Sequence, residues 1–140
     1  MEKKTTTIIA EIAGGHMGLL DRCLDLVRAA GKCGADIVKF QFYKATELCM
    51  EGHPDYELFS KLEFSSEAWR NITNTARISN MQIYADVFGL DSLQEAVEAG
   101  VDIIKFQTFK SEKLVSKVAK QAEYQQRNIG KKDEGQLAML

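Results

Sequence analysis

Four ionisable residues stand where strand-like stretches of this chain run out: Glu11, Lys39, Asp86 and Lys105. In a β/α fold, ligands collect at the C-terminal ends of the strands. If all four side chains point inward, they form a mixed-charge cluster around one mouth. Two lysines can hold a phosphate and a carboxylate as point charges in a partly desolvated site. A carboxylate there can bind hydroxyl groups or move a proton. Each residue also has a plainer explanation. Glu11 can pair with Lys39 as a buried structural ion pair, and Asp86 can be a turn residue ahead of Gly89. Lys39 and Lys105 can instead be Schiff-base lysines, because a lysine on a barrel strand can serve as an aldolase nucleophile. His16, in the glycine-rich run Gly14-Gly15-His16-Met17-Gly18, suits a ligand contact or a solvated loop equally. His53, beside Pro54, reads as an exposed loop histidine.

The elements that must position these groups follow from hydrophobic periodicity. Thr5 to Ile12 is β-branched and mostly apolar and predicts a buried strand. Leu20, Cys23, Leu24, Val27 and Ala30 recur at helical spacing from Leu19 to Cys33, and Gly34 ends that helix. Asp36 to Gln41 is a second strand, followed by a looser stretch with a short helix around Tyr56 to Leu62. Ser65 is placed to cap a helix over Ser66 to Ile78, and Trp69 on it reads as core packing. Met81 to Phe88 is a third strand. Asp91 and Gln94 have capping-box spacing for a helix that runs to Ala99 and stops at Gly100. Val101 to Phe106 is a fourth strand, and the polar tail from Ser111 is helical in parts. The order β-α-β-α-β-α-β, with strands apolar on both sides, calls for an α/β fold with a parallel sheet. Four such units are half of a (β/α)8 barrel, which takes about 250 residues. A flavodoxin-like open sheet is the alternative.

One pattern occurs twice. Gly34-Ala35-Asp36-Ile37-Val38-Lys39-Phe40-Gln41-Phe42-Tyr43-Lys44 resembles Gly100-Val101-Asp102-Ile103-Ile104-Lys105-Phe106-Gln107-Thr108-Phe109-Lys110. The match is closer than generic β/α self-similarity and points to a duplication or a fusion of homologous pieces. Composition excludes several classes. A net charge of -2 argues against a nucleic-acid partner. With 45% hydrophobic and 27% charged residues the chain reads as globular, and no apolar run suggests a membrane span. The basic start is followed by only a short apolar stretch, broken by Glu11, which is unlike a signal peptide; a cytoplasmic location is expected. Cys23, Cys33 and Cys49 lack metal-ligand spacing and are expected to be buried free thiols. The glycine-rich loop lacks the G-x-G-x-x-G spacing of a dinucleotide fingerprint.

The stretch Ile8-Ile9-Ala10-Glu11-Ile12-Ala13-Gly14-Gly15-His16-Met17-Gly18 resembles the "IIAEIGxNHxG" opening of the N-acetylneuraminate (sialic acid) synthase family. Gly34 to Gln41 is similar to its second-strand motif "GADAVKFQ", and Asp55 to Ser65 and the strand ending in Asp86-Val87-Phe88 also resemble the family. The resemblance implies condensation of phosphoenolpyruvate with an open-chain amino sugar such as N-acetylmannosamine, releasing phosphate. It implies a divalent metal, manganese or magnesium, that polarises the sugar aldehyde. It implies that Glu11 contacts the sugar and that Lys39 and Lys105 contact phosphoenolpyruvate, and it adds His16, Gln41 and Asp86 to the substrate-binding candidates.

The departures are specific. Gly15 and Met17 replace asparagines common in the first loop. Asp86 stands where many members carry a threonine that touches the phosphate, and an acid repels that group. After Lys105 the chain resembles the family's second-strand region again, so residues 1–104 read as the N-terminal half of a synthase-like barrel and 105–140 as a repeated second-strand-like segment. The family's metal-binding histidines, on later strands, and its C-terminal antifreeze-like domain have no counterpart in this sequence. The expectations are therefore a synthase-family enzyme represented by a partial barrel too short to catalyse the reaction alone, a catalytically incomplete phosphate- or sugar-binding module, a half-barrel that folds by pairing as a homodimer or with another half-barrel, or a Schiff-base aldolase. The acceptor sugar, whether of sialic, legionaminic or pseudaminic type, is left open.

Overall fold

The computed structural model describes residues 6–107, together with Ser116 and Lys120. The chain divides into two compact units, Met1–Gln107 and Thr108–Leu140. Of the second, Ser116 and Lys120 are helical and exposed; the rest of the polar tail, and Lys110 of the second repeat, lie outside the described residues.

The first unit runs β1 (Ile9–Glu11), α1 (Leu20–Lys32), β2 (Ile37–Phe42), α2 (Ala45–Leu48), α3 (Tyr56–Leu62), α4 (Ser66–Ile78), β3 (Gln82–Val87), α5 (Leu90–Glu98), β4 (Ile103–Phe106). The four strands form one parallel sheet in the order β1-β2-β3-β4. Sequential order without reversal is the order of an arc of a (β/α)8 barrel. A flavodoxin-like sheet requires a switch point where the order turns back, and the structure excludes that alternative.

The strands are not apolar on both sides. Val38, Phe40 and Phe42 of β2 and Ile83, Ala85 and Val87 of β3 are fully buried. They occupy alternate positions and so share one face. Trp69 of α4 covers that face, stacked on Phe42 with ring centroids 3.8 Å apart and edge-on to Phe40 at 5.7 Å. The intervening positions carry Lys39, Gln41, Tyr84, Asp86, Glu11 and Lys105. Charge is tolerated on this second face because its ions pair with one another.

Helix ends follow local chemistry, with one exception. Ser65 Oγ accepts the Ala68 amide at 3.2 Å, as the sequence predicts for α4. Gly34 and Gly100, which close α1 and α5, have φ of +81° and +77°, a region that favours glycine. The Asp91–Gln94 capping box does not form. Helix α5 starts two residues earlier, with Gly89 at the N-cap position, and a distant side chain caps it: Glu47 Oε1 accepts the Asp91 and Ser92 amides, both at 3.1 Å. A carboxylate from another element offers the helix N-terminus a full charge, which Asp91 would have to supply from within the helix. A side chain on Gly89 would collide with that carboxylate. The helix α2 that carries Glu47 is too short to leave a periodic signal. Cys23 alone of the cysteines is buried; Cys33 is exposed and Cys49 half-buried, which corrects the expectation of three buried thiols. Burial pushes the Cys23 thiol up to about 12. Among the described residues no helix is long and apolar enough to cross a membrane.

Candidate functional site

Strand register decides which polar residues meet. Glu11 pairs with Lys39 across β1 and β2, Lys39 with Tyr84 across β2 and β3, and Tyr84 with Ile103 across β3 and β4. Two residues further along, Gln41 pairs with Asp86 and Asp86 with Lys105. In a parallel sheet such neighbours carry their side chains on the same face. The polar face therefore holds two rows, with Lys105 one step nearer the C-terminal end than Lys39.

The four charged side chains alternate in sign across the sheet. Lys39 Nζ lies 2.9 Å from Glu11 Oε2 and 2.8 Å from Asp86 Oδ2. Lys105 Nζ lies 4.0 Å from Asp86 Oδ1. Burial is uneven: side-chain exposure is 48% for Glu11, 15% for Lys39, 3% for Asp86 and 51% for Lys105. Hydrogen bonds to Asp86 and Glu11 hold the Lys39 ammonium and push its pKa up to about 12, against the smaller opposing effect of burial. Lys39 Nζ also stands 5.3 Å from the centre of the Tyr84 ring, within cation–π range.

This geometry separates the chemistries open to the lysines. A Schiff-base nucleophile must be a neutral amine. Lys39 is held as a cation between two carboxylates, so it acts as a charge and a hydrogen-bond donor, and the geometry argues against an aldolase nucleophile there. The Glu11–Lys39 pair forms, but it extends to Asp86 and on to Lys105. Asp86 is a buried member of β3, not a turn residue ahead of Gly89.

His16 lies apart from the row. It is 3% exposed, its Nδ1 accepts the Gly18 amide at 3.0 Å, and its ring rests against Phe64 with centroids 4.5 Å apart. Burial lowers its pKa from 6.5 and favours the neutral ring. Gly18 is required by this packing, because its φ is +74° and a side chain would strike the Lys61 carbonyl. His53 is exposed, as the sequence predicts, and its Nδ1 lies 3.8 Å from Asp55.

Two features escaped the sequence reading. Tyr84 joins the polar face; its position two residues before Asp86 on one strand is the signal that could have found it. The second is a charge network around Lys44, the distal lysine of the first repeat. Lys44 Nζ lies 2.9 Å from Glu95 and 3.7 Å from Glu63. The Lys44 amide donates to Glu47 at 3.0 Å and the Ala45 amide to Glu63. Burial works against the Lys44 ammonium, but the hydrogen bond to Glu95 and the charges of Glu95, Glu63 and Glu47 outweigh it and raise its pKa. The network ties the β2–α2 connection to α5. Its partners are up to 51 residues apart in sequence, and no local pattern announces them.

A metal finds no ready ligand set here. Among the described residues no group of three His, Cys, Asp or Glu side chains could hold an ion, and Glu11 and Asp86 are already engaged by Lys39. The described residues do not fit the manganese or magnesium that the resemblance implies; such an ion would need ligands from elsewhere.

Comparison with known proteins bears on the family and the fold. The NeuB family model matches residues 26–95 and again 92–140. An uncharacterised protein of Methanocaldococcus jannaschii is 41% identical over 71 residues, covering 51% of this chain and 21% of that protein. The N,N'-diacetyllegionaminic acid synthase of Legionella pneumophila is 30% identical over 115 residues, covering 72% of this chain and 32% of the synthase. The crystal structure of an N-acetylneuraminic acid synthetase from Leptospira borgpetersenii, in complex with citrate, superposes with a TM-score of 0.68 at 27% identity, covering 74% of this chain and 36% of that one. The chain thus spans about a third or less of the length of these relatives.

Proposed function

Because the chain belongs to the NeuB family, we propose that it serves nonulosonic acid biosynthesis, as the β1–β4 part of a barrel that condenses phosphoenolpyruvate with an N-acetylated amino sugar. The observation that carries this reading is the cluster Glu11–Lys39–Asp86–Lys105 on one face of four adjacent parallel strands, with Glu11, Asp86 and Lys105 at or next to their C-terminal ends. Lys39 and Lys105 supply two positive charges for the phosphate and carboxylate of phosphoenolpyruvate. They act by charge stabilisation in a partly desolvated site. Glu11, half exposed and at the rim of the row, is placed to accept hydrogen bonds from sugar hydroxyls. Gln41, beside Asp86, adds an amide that can both donate and accept. The reaction forms a carbon–carbon bond between the methylene carbon of phosphoenolpyruvate and the aldehyde carbon, whose oxygen takes a proton; water adds to the carbon that bears the phosphate oxygen, and loss of phosphate from that carbon leaves the keto group.

A complementary reading is that this arc works only with further strands. Strands β1 and β4 each pair on one side only among the described residues. Unpaired edges recruit further strands, from a second copy, another half-barrel or further chain. The test is phosphate release from phosphoenolpyruvate with N-acetylmannosamine and manganese, beside a thermal-shift titration with phosphoenolpyruvate. Turnover lost in Glu11→Ala or Lys39→Ala means that the chain builds a working site. A melting shift without turnover, abolished by Lys39→Ala, supports the phosphoenolpyruvate site and assigns catalysis to a larger assembly. Absence of both refutes the proposal for this chain.

A further inference from the structure

Asp86 is the most buried member of the charge row, and it is incompletely satisfied. Its Oδ2 takes the Lys39 ammonium at 2.8 Å. Its Oδ1 is sealed from solvent and has no hydrogen-bond partner, a state no other buried side-chain atom shares among the described residues. Lys105 Nζ stops 4.0 Å short of it. A buried carboxylate oxygen without a partner carries a desolvation penalty. The carboxylate is therefore held by the charges beside it, and those charges come from the two strands that flank β3. That is the position an anionic ligand must take to touch both ammonium groups at once. Sequence alternation leads to the same place: Asp86 lies on the face and in the row that carry Lys105.

We infer that Asp86 is a built-in anion that competes with oxyanion ligands for Lys39 and Lys105, and so sets the affinity and the charge preference of the site. The inference rests on the reading that these two lysines receive the acidic groups of the ligand. The row holds two acids and two bases, so it attracts a dianion no more than a neutral molecule at long range. Lys39 is hydrogen-bonded to two carboxylates and stays in place. Lys105, half exposed and beyond hydrogen-bond distance of Asp86, is the ammonium with room to turn outward to a ligand. An oxyanion then binds against the fixed charge of Asp86, whereas an uncharged polyol meets no such opposition. Burial keeps this repulsion strong, because water and salt do not reach Asp86 to screen it.

The test is isothermal titration of inorganic phosphate into the 140-residue chain and into Asp86→Asn, with Asp86→Thr as a second neutral replacement and circular dichroism to check that each is folded. Removing a like charge within contact range should tighten phosphate binding at least about fivefold, the gain expected even at the dielectric constant of water. Adding Lys39→Met to Asp86→Asn should abolish the gain, which assigns it to the row. If the neutral variants bind phosphate while the native chain binds none, the inference stands and native phosphoenolpyruvate binding is refuted. If the native chain binds phosphate and the folded variants bind it equally or less well, Asp86 is no competitor and the inference is overturned, with the proposed function intact. If no form binds phosphate, both are refuted.

Discussion

The two copies of the Gly-x-Asp-Ile-x-Lys pattern begin alike and end differently. Gly34 and Gly100 both adopt positive φ after a helix. Asp36 and Asp102 both reach back to the preceding strand: Asp36 accepts the Ile8 amide at 2.7 Å, and Asp102 accepts the Ile83 amide at 2.8 Å. Three residues later the likeness ends. Lys39 is mostly buried, with carboxylates on both sides, because β2 is an inner strand flanked by β1 and β3. Lys105 is half exposed and 4.0 Å from a single carboxylate, because β4 is a terminal strand of the described sheet and its register is stepped by two residues. Backbone-directed residues repeat their role wherever the local turn repeats. A side chain that works through neighbouring strands takes its role from its place in the sheet.

That contrast is open to direct attack. Its sharpest test is Lys39→Met, which leaves Asp86 buried without its cation. Breaking a buried pair in this way costs about 3–5 kcal/mol, and urea unfolding should show a loss in that range; a loss below 1 kcal/mol would mean that the two lysines are equivalent after all.

The next effect is on pH dependence. Lys39 has a folded pKa of about 12 against 10.5 for the free side chain. The folded state binds this proton more tightly, so the stabilisation is complete below pH 10.5 and is lost as pH rises towards 12. Melting temperatures between pH 9 and 12 should fall through this window in the native chain and in Lys105→Met, and lose that component in Lys39→Met.

Glu11→Gln should have a smaller effect. Glu11 is half exposed, and Lys39 keeps Asp86, so the loss should be about 0.5–1 kcal/mol in the same urea titration. The smallest effect belongs to Lys105→Met, within about 0.5 kcal/mol of the native chain. Its consequence should appear in phosphoenolpyruvate binding rather than stability, measured by the ligand-induced melting shift.

Much of this was legible beforehand. Periodicity and capping residues were enough to place four parallel strands and the longer helices between them, and Ser65 caps α4 as its side-chain chemistry requires; the first strand, expected to be buried from Thr5 to Ile12, is shorter, Ile9–Glu11, and leaves Ile8 and Ile9 about half exposed. Strand ends also nominated Glu11, Lys39, Asp86 and Lys105, which the sheet does gather on one face. Other features were hidden because their partners are distant. Glu47 caps α5 from 44 residues away, too far for a capping box to reveal. The helix α2 that bears it spans four residues, less than a periodic signal needs.

The amino-acid sequence by itself determined the order of elements, the faces of the helices, the glycine-dependent turns and the identity of the charged residues, because each depends on neighbours within a few positions of the chain. Tertiary structure alone decided that Lys39 serves as a clamped cation, that Asp86 is buried with one oxygen unpaired, and that Lys105 stays half exposed. Those outcomes depend on strand register and on whether a strand lies inside the sheet or at its edge. Two closely similar short segments can differ in both.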